Sequence, residues 1–420
     1  MKKVEENFRD GSLLNGIFEQ LSIKKENISF RELNRITSIE VIRKDNEKEF
    51  IDLTGLEILK NLEYIEFSGF YLKELEILGN LKKIVHLHCK IYNDKIPDFF
   101  PKGIRDLGLS DSFFIENIDN IDCYPNLYSI NLDNNSISTI PKFNNLKLLT
   151  FLSMEKNFLS NIYFMKEMKN LFSLIINNNF VYKLDALESL EKLEILYANS
   201  NRVQIIPCIK NLVELNLDDN PIMKLENLDK MPFLEKISLN NCGLFSFPNL
   251  TSSNLKTLSL NNNNLENISM NANNKILELN LSNNFLKNLD FLKKFPFLEK
   301  IYINQNEISN LQKISFLKNK KEIYINNQNI CVELKEEKNI LYMENKIYDY
   351  KGILIEPNFI SYKGVYNSLK NRIEWDKTNL FSSKKFITIG GALYSEFSFR
   401  EEKSGRIIEF SGKQNAVLSK

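Results

Sequence analysis

A short pattern of apolar residues recurs along most of the chain, and this recurrence limits what the chain can fold into more than any other feature. In residues 127–140 (LYSINLDNNSISTI) the first, fourth, sixth, eleventh and fourteenth positions are apolar and the ninth is Asn. The frame recurs from Leu149, Leu171, Leu193, Leu212, Leu234, Leu255, Ile276 and Leu298, with weaker copies from Leu62, Ile84, Ile104 and Lys320. These thirteen units, most of them 21 to 23 residues apart, predict a stack of repeats.

The spacing within each unit indicates a short strand followed by a turn. Positions four and six, such as Ile130 and Leu132, alternate as strand residues do and therefore point to one side. We expect this side to be the interior, with units stacked about 4.8 Å apart as a parallel concave sheet. About a dozen residues return to the next strand, which favours short 3₁₀ or extended convex turns over full helices. The predicted fold is an α/β-type leucine-rich-repeat solenoid.

Position nine is predicted to be structural. The chain leaves the strand there, and an inward amide can satisfy main-chain groups that would otherwise lack partners. We therefore assign no binding role to the asparagines at this position, which are Asn135, Asn157, Asn179, Asn201, Asn220, Asn263, Asn284 and Asn306.

The N-terminal residues are predicted to close one end of the stack, because a solenoid exposes apolar end faces. Residues 1–61 would form a helical cap and the entry into the repeats, and residues 62–334 would form the solenoid. The apolar spacing predicts one helix from Glu5 to Lys25 and a second from Ser29, as N-cap, to Ile42.

The C-terminal residues 335–420 lack the repeat and alternate with period two instead. Turn residues such as Gly390-Gly391 and Lys403-Ser404-Gly405 separate the short runs. This pattern predicts a small β-sandwich. The alternating pairs are Ile373 and Trp375, Ile387 and Ile389, Phe397 and Phe399, and Ile408 and Phe410.

Positions three, five and seven of each strand should face solvent and are free to serve function. Most hold small or polar residues, but Phe151, Ile175, Ile195 and Tyr197 fall on outward positions of three consecutive strands. Exposed contiguous apolar groups usually mark an interaction site, so we predict these four as partner-binding residues. The alternative is a slightly shifted register or a contact with a neighbouring loop. Tyr302 and Tyr324 form a second predicted pair nearer the C-terminus.

His86 and His88 are the only histidines, and both project from one predicted strand onto the same face. Glu66 and Asp106 occupy outward positions on the flanking strands, so a metal site or a pH-sensitive contact is one interpretation. The other is a solvated surface, because two histidines without a third clear ligand are weak evidence. We predict no metal and no cofactor.

Composition excludes several classes of function. Lys and Arg (55) balance Asp and Glu (54), which argues against nucleic-acid binding. No stretch approaches the roughly 20 apolar residues of a membrane span. No pair of carboxylates, activated cysteine or phosphate-cradling glycine loop stands out, so we predict a non-enzyme that is monomeric and binds a protein.

Several passages resemble the internalins of Gram-positive bacteria. These are the junction Arg31-Glu32-Leu33-Asn34 followed by residues 51–62, the short repeats, and the tail runs 352–357, 373–375 and 387–392. The resemblance implies a helical cap, the solenoid, and a C-terminal immunoglobulin-like (Ig-like) β-sandwich. It also implies that the concave face binds a protein partner, usually a host-cell receptor.

Two functions therefore compete. The resemblance and the Ig-like tail favour an extracellular protein that acts on a host or neighbouring surface. No export signal or wall anchor is visible, and the five cysteines form no disulfide framework. These observations favour an intracellular scaffold or regulator of a cytoplasmic protein. The sequence does not decide the localisation.

Overall fold

The computed structural model describes residues 4–21, 30–43, 49–250, 254–272, 275–312, 314, 322–349, 351–376, 393–403 and 406–418. Contacts divide the chain into two compact units, Met1–Leu217 and Asp218–Lys420. The predicted N-cap Ser29, the run 387–392 and the turn residues 404–405 lie outside the described residues.

The first unit is built around a parallel sheet. Strands β3 to β10 each pair with the next one in parallel, and β1 and β2 both pair with β3. The strands are β1 (Ser38–Ile42), β2 (Phe50–Asp52), β3 (Tyr64–Lys73), β4 (His86–Lys90), β5 (Asp106–Gly108), β6 (Ser129–Asn131), β7 (Phe151–Ser153), β8 (Ser173–Ile175), β9 (Ile195–Tyr197) and β10 (Glu214–Asn216).

Helices in the first unit are short. Helix α1 (Gly11–Leu21) lies within the predicted cap, and Asp10 Oδ1 accepts a hydrogen bond from the Ser12 N–H at its start. Helix α2 (Phe30–Leu33) is a single turn. The remaining helices are 3₁₀ segments, and most of them lie on the returns between strands, as predicted: Val4–Asn7, Leu56–Ile58, Leu75–Asn80, Asp119–Cys123, Tyr163–Glu167 and Asp185–Ser189.

The prediction of a second helix that runs to Ile42 is wrong. Residues from Ser38 form strand β1, in which Ile39 and Val41 are buried and the residues between them are exposed. This alternation has period two, and Ile and Val favour strands because their branched side chains fit a pleated surface. Strand β1 therefore adds a parallel strand before the first predicted repeat.

The second unit contains the same repeat up to β15 and a different arrangement of strands after it. Strands β11 to β15 pair in parallel, and β15 also pairs in parallel with β21. The strands are β11 (Lys236–Ser238), β12 (Thr257–Ser259), β13 (Glu278–Asn280), β14 (Lys300–Tyr302), β15 (Glu322–Glu337), β16 (Ile340–Glu344), β17 (Phe359–Ile360), β18 (Val365–Asn367), β19 (Arg372–Asp376), β20 (Tyr394–Lys403) and β21 (Arg406–Leu418). Its 3₁₀ segments are Glu226–Lys230, Asp290–Lys294 and Ser361–Lys363.

Beyond β15 the described strands are mainly antiparallel. Strand β20 pairs with β17 and β21, and β19 pairs with β16 and β18. The predicted alternation is visible where side chains are described, since Ile373, Trp375, Phe397 and Phe410 are all buried. The Ig-like assignment and the boundaries 1–61, 62–334 and 335–420 stay predictions.

The repeat buries the residues that the pattern places inside. Positions one, four and six of the unit that begins at Leu171 are Leu171, Leu174 and Ile176, and none of them is exposed to solvent. The strands are only three residues long, so each contributes few ladder bonds. Burial of apolar side chains, at about 25 cal/mol per Å², is therefore the main stabilising contribution of a unit.

The position-nine asparagines form a ladder, as predicted. The Asn179 amide nitrogen donates to the carbonyls of Met154, Ile176 and Asn177 at 2.9 to 3.1 Å, and its oxygen accepts from the Leu159 N–H at 2.9 Å. Each amide thus joins two repeats. In the second unit, Cys242 replaces asparagine in this column and Gln328 extends it.

Position eight explains more of the asparagine content. Its residue has a φ of about +55° in repeat after repeat, for example 55° at Asn178 and 54° at Asn262. Asn tolerates this left-handed conformation better than most residues that have a Cβ atom.

The number of residues between consecutive strands varies, whereas the way in which these strands pair does not. Ile195 and Glu214 are paired although only 19 residues apart, and Asp106 and Ser129 are paired at a separation of 23. The extra residues lie outside the strands. Among the described residues, no helix has the length and apolar character that crossing a membrane requires.

Candidate functional site

The solvent-facing side of the sheet, here called the open face, carries the residues at positions three and five. On β7, β8 and β9, the inward residues Leu152, Leu174 and Leu196 are at most 3% exposed. The four predicted residues are only half-buried and lie on the opposite side. They therefore lie on the outward side of the strands, and their role in binding stays a prediction. We call Phe151, Ile175, Ile195 and Tyr197 the apolar patch.

The apolar patch has two columns. Phe151 and Ile195 occupy position three and flank Ser173, which pairs with both. Ile175 and Tyr197 occupy position five and pair directly with each other. The Tyr197 hydroxyl donates a 2.8 Å hydrogen bond to Glu214 Oε2, which holds the ring over the sheet.

A groove of about 930 Å³ extends one of these columns. Phe151 and Ile195 line it together with Leu148 and Phe172, which are 54% and 42% exposed. The other two patch residues do not line it. Leu148 and Phe172 were not predicted because they precede the strand. Phe172 is a large apolar residue at position two of its repeat, which was a usable signal, whereas Leu148 lies immediately before position one of its repeat.

The second predicted pair is also brought together. Tyr302 and Tyr324 are register partners on β14 and β15, with ring centroids 5.3 Å apart and planes 8° from parallel. The Tyr302 hydroxyl lies 3.3 Å from Glu322 Oε2. Elsewhere the open face of the second unit is polar, as at Thr257, Ser259 and Glu278.

A second depression, of about 890 Å³, lies on the loops of the second unit. Its lining includes Met223 and Phe245, which are 75% and 78% exposed. No sequence pattern pointed to it. We consider it a weaker candidate than the open face because loop residues, not paired strands, form its wall.

The structure joins both histidines to Asp106. His86 Nδ1 lies 2.8 Å from Asp106 Oδ2, and His88 Nε2 lies 3.3 Å from Asp106 Oδ1. Tyr64 stacks on His86 at 4.0 Å between ring centroids. The Tyr64 hydroxyl donates a 2.5 Å hydrogen bond to Glu66 Oε2. This bond holds the Glu66 carboxylate on β3, the strand next to the one that carries the histidines.

The groups of this cluster shift the pKa values of His86 and Asp106. Burial lowers the pKa of His86, and the neighbouring His88 lowers it further, against the opposing charge of Asp106. Burial raises the pKa of Asp106, but its contacts with His88 and Ser129 and the charges of both imidazoles outweigh burial and leave that pKa below its usual value. Both shifts favour a neutral His86 beside an ionised Asp106.

Comparisons with solved structures identify the fold. Internalin InlJ of Listeria monocytogenes matches with a TM-score of 0.66 and 16% identity, over 99% of this chain and 98% of that one. Its functional domain includes a cysteine ladder. In this chain the position-nine column is mainly asparagine, with a single cysteine at Cys242.

Two further structures agree. Internalin InlF of Listeria monocytogenes matches with a TM-score of 0.60 and 21% identity, over 78% of this chain and 92% of that one. A leucine-rich-repeat protein of Leptospira interrogans matches with a TM-score of 0.58 and 19% identity, over 76% and 92%. No family model and no curated protein matches this sequence. The chain has the internalin-like leucine-rich-repeat fold.

Proposed function

We propose that this chain is a non-catalytic binding module that recognises a protein partner through the open face of its first unit. One observation carries the proposal: a rigid parallel sheet presents Phe151, Ile195 and Tyr197 to solvent where the same positions of β12 and β13 are polar. Exposing such groups lowers solubility unless something covers them.

The groove suggests the chemistry of the partner. Its apolar wall is bordered by Glu191, Lys192 and Glu194, so charges of both signs surround an apolar centre. This resembles an interface with an apolar core and a polar rim. We therefore expect a partner that inserts apolar side chains between Phe151 and Ile195 and places polar groups around them.

The test is a double substitution, Phe151→Ala with Tyr197→Ala. Loss of two anchors should weaken the partner's affinity about 700-fold if their contributions add, because such residues are worth about 2 kcal/mol or more each. Thermal stability should stay nearly intact, since both side chains lie outside the core. The measurement is affinity capture with the immobilised chain, followed by titration of the captured protein.

Thr257→Ala with Asn280→Ala is the matched control, because it truncates the corresponding columns of β12 and β13. A captured protein that binds both double variants equally well would refute the proposal. Unfolding of the Phe151→Ala, Tyr197→Ala variant would show that these side chains support the core.

The site of action separates the two forms of this function. A host-surface protein would be recovered outside the producing cell, whereas a cytoplasmic scaffold would be recovered only inside it. The five cysteines, all of them among the described residues, form no disulfide, which favours the scaffold, and the internalin-like fold favours the extracellular role. Fractionation of the native cells with immunoblotting distinguishes them, and size-exclusion chromatography tests the predicted monomer.

A further inference from the structure

The histidine cluster on β4 and β5 is distinct from the apolar patch and independent of the proposed function. His86 and His88 are two residues apart on β4, so both imidazoles lie on the open face. Asp106 pairs with His86 across the parallel ladder. Three residues that can bind a metal thus meet on two rigid strands.

The distances within this cluster match those around a single metal ion. One ligand atom from each of the three residues can be chosen so that all lie within 4.8 Å of one another. Ligands at 2.0 to 2.2 Å from a tetrahedral ion lie roughly 3.3 Å apart. Asp106 Oδ1 lies 3.3 Å from His88 Nε2, which is close to that value, and Asp106 Oδ2 lies 2.8 Å from His86 Nδ1.

The imidazole nitrogens have unused capacity. The Nε2 atoms of His86 and His88 are buried and make no hydrogen bond among the described residues. The 3.3 Å contact of His88 Nε2 with Asp106 therefore lacks the alignment of a hydrogen bond. A buried polar atom without a partner is costly, and metal coordination beside Asp106 would satisfy His88 Nε2.

Gly108 gives His88 its position. The two residues pair across the ladder, and a Cβ atom at Gly108 would lie 2.6 Å from His88 Cδ2. Any larger residue would therefore displace the ring. The absence of a side chain lets the imidazole lie over β5 and approach Asp106.

We propose that His86, His88 and Asp106 bind a divalent transition-metal ion, and that Zn²⁺ is the ion this ligand set fits. Two imidazoles and a carboxylate are ligands that Zn²⁺ commonly takes, whereas Ca²⁺ and Mg²⁺ prefer ligand sets made of oxygen atoms. Three protein ligands leave a fourth position toward solvent, open to water or to a group from a partner.

The chain offers a selective readout, because it contains only two histidines. The full-length protein, stripped with a chelator, should show two imidazole signals in nuclear magnetic resonance spectra. Addition of Zn²⁺ should shift both signals and saturate at one equivalent. Signals that stay in place up to millimolar Zn²⁺ would overturn the proposal.

Substitutions separate this site from other metal ligands. Asp106→Asn or His88→Gln should weaken Zn²⁺ at least about a hundredfold in calorimetric titration, because loss of supporting residues alone costs 10- to 100-fold. Glu278→Gln is the matched control, since Glu278 occupies position three of β13 with no histidine beside it. It should leave the affinity unchanged.

Gly108→Ala tests the geometry without removing a ligand, and it should weaken Zn²⁺ about tenfold by displacing His88. All titrations use a Cys123→Ser, Cys331→Ser background, because these two thiols are exposed and could bind zinc themselves. Circular dichroism verifies folding of each variant. Wild-type affinity in the folded Asp106→Asn and His88→Gln variants would refute the site.

Discussion

Strands β7–β9 of the first unit and β12–β13 of the second have the same interior and different open faces. Inward positions hold Leu174 in one region and Leu258 in the other, both fully buried. Outward positions hold Phe151 and Tyr197 in the first region but Thr257 and Asn280 in the second. Packing thus determines half of each strand, and the other half is free for recognition.

The largest expected difference between the two units is in the free energy of unfolding lost by substitutions in the position-nine column, which is inward in both. Asn179→Ala should reduce the free energy of unfolding by about 3 kcal/mol, because the Met154 carbonyl and the Leu159 N–H lose partners in the interior. Cys242→Ala should cost only about 1 kcal/mol, since the thiol is a weak donor.

Urea unfolding followed by circular dichroism measures both changes. Asn170→Ala serves as control, because the half-buried Asn170 side chain lies outside this column, where it donates to the Lys147 carbonyl and accepts from Lys192 Nζ. Equal losses at Asn179 and Cys242 would mean that side-chain volume, not amide hydrogen bonding, makes this column important.

The next contrast is a pH effect that only the first unit can show. The pKa of His86 is below the usual 6.5 when the chain is folded, so the unfolded chain takes up a proton more readily as the pH falls through 6.5. Metal-free protein should therefore lose stability in this range. Asp106, His88, Tyr64 and Glu66 are the ionisable groups around His86.

Hydrogen exchange at pH 7 and pH 5.5, corrected for the intrinsic rate, should show weaker protection of β4 and β5 with no change in β12 and β13. His86→Gln should abolish the difference. Equal loss of protection in both units would assign the effect to other groups.

The smallest expected effect is that of an aromatic residue introduced on the open face of the second unit. Thr257 lies between Lys236 and Glu278 on the open face, so Thr257→Phe should change stability by no more than about 0.5 kcal/mol. Thermal unfolding measures this. Leu258→Phe is the adjacent inward control, and overpacking there should cost about 1 to 3 kcal/mol. A severe loss from Thr257→Phe would show that the open face is not free to vary.

The repeat made most of the fold predictable, because each leucine position has one geometric role. The error at Ser38–Ile42 arose because Leu33, Ile36 and Ile39 are three residues apart, as on one face of a helix. The alternation of Ile39 with Val41 and the pairing with β3 show a strand instead. Alternation also placed His86 and His88 on one face. It could not predict their approach to Asp106, which depends on rotamers and on the space at Gly108.

The variable return has a consequence for how such a surface can change. Since pairing survives separations of 19 and of 23 residues, small insertions or deletions between strands need not shift the side-chain parity of the next strand. A few codons gained or lost there would leave each recognition residue pointing outward. The returns can therefore change in length without altering which strand residues face a partner.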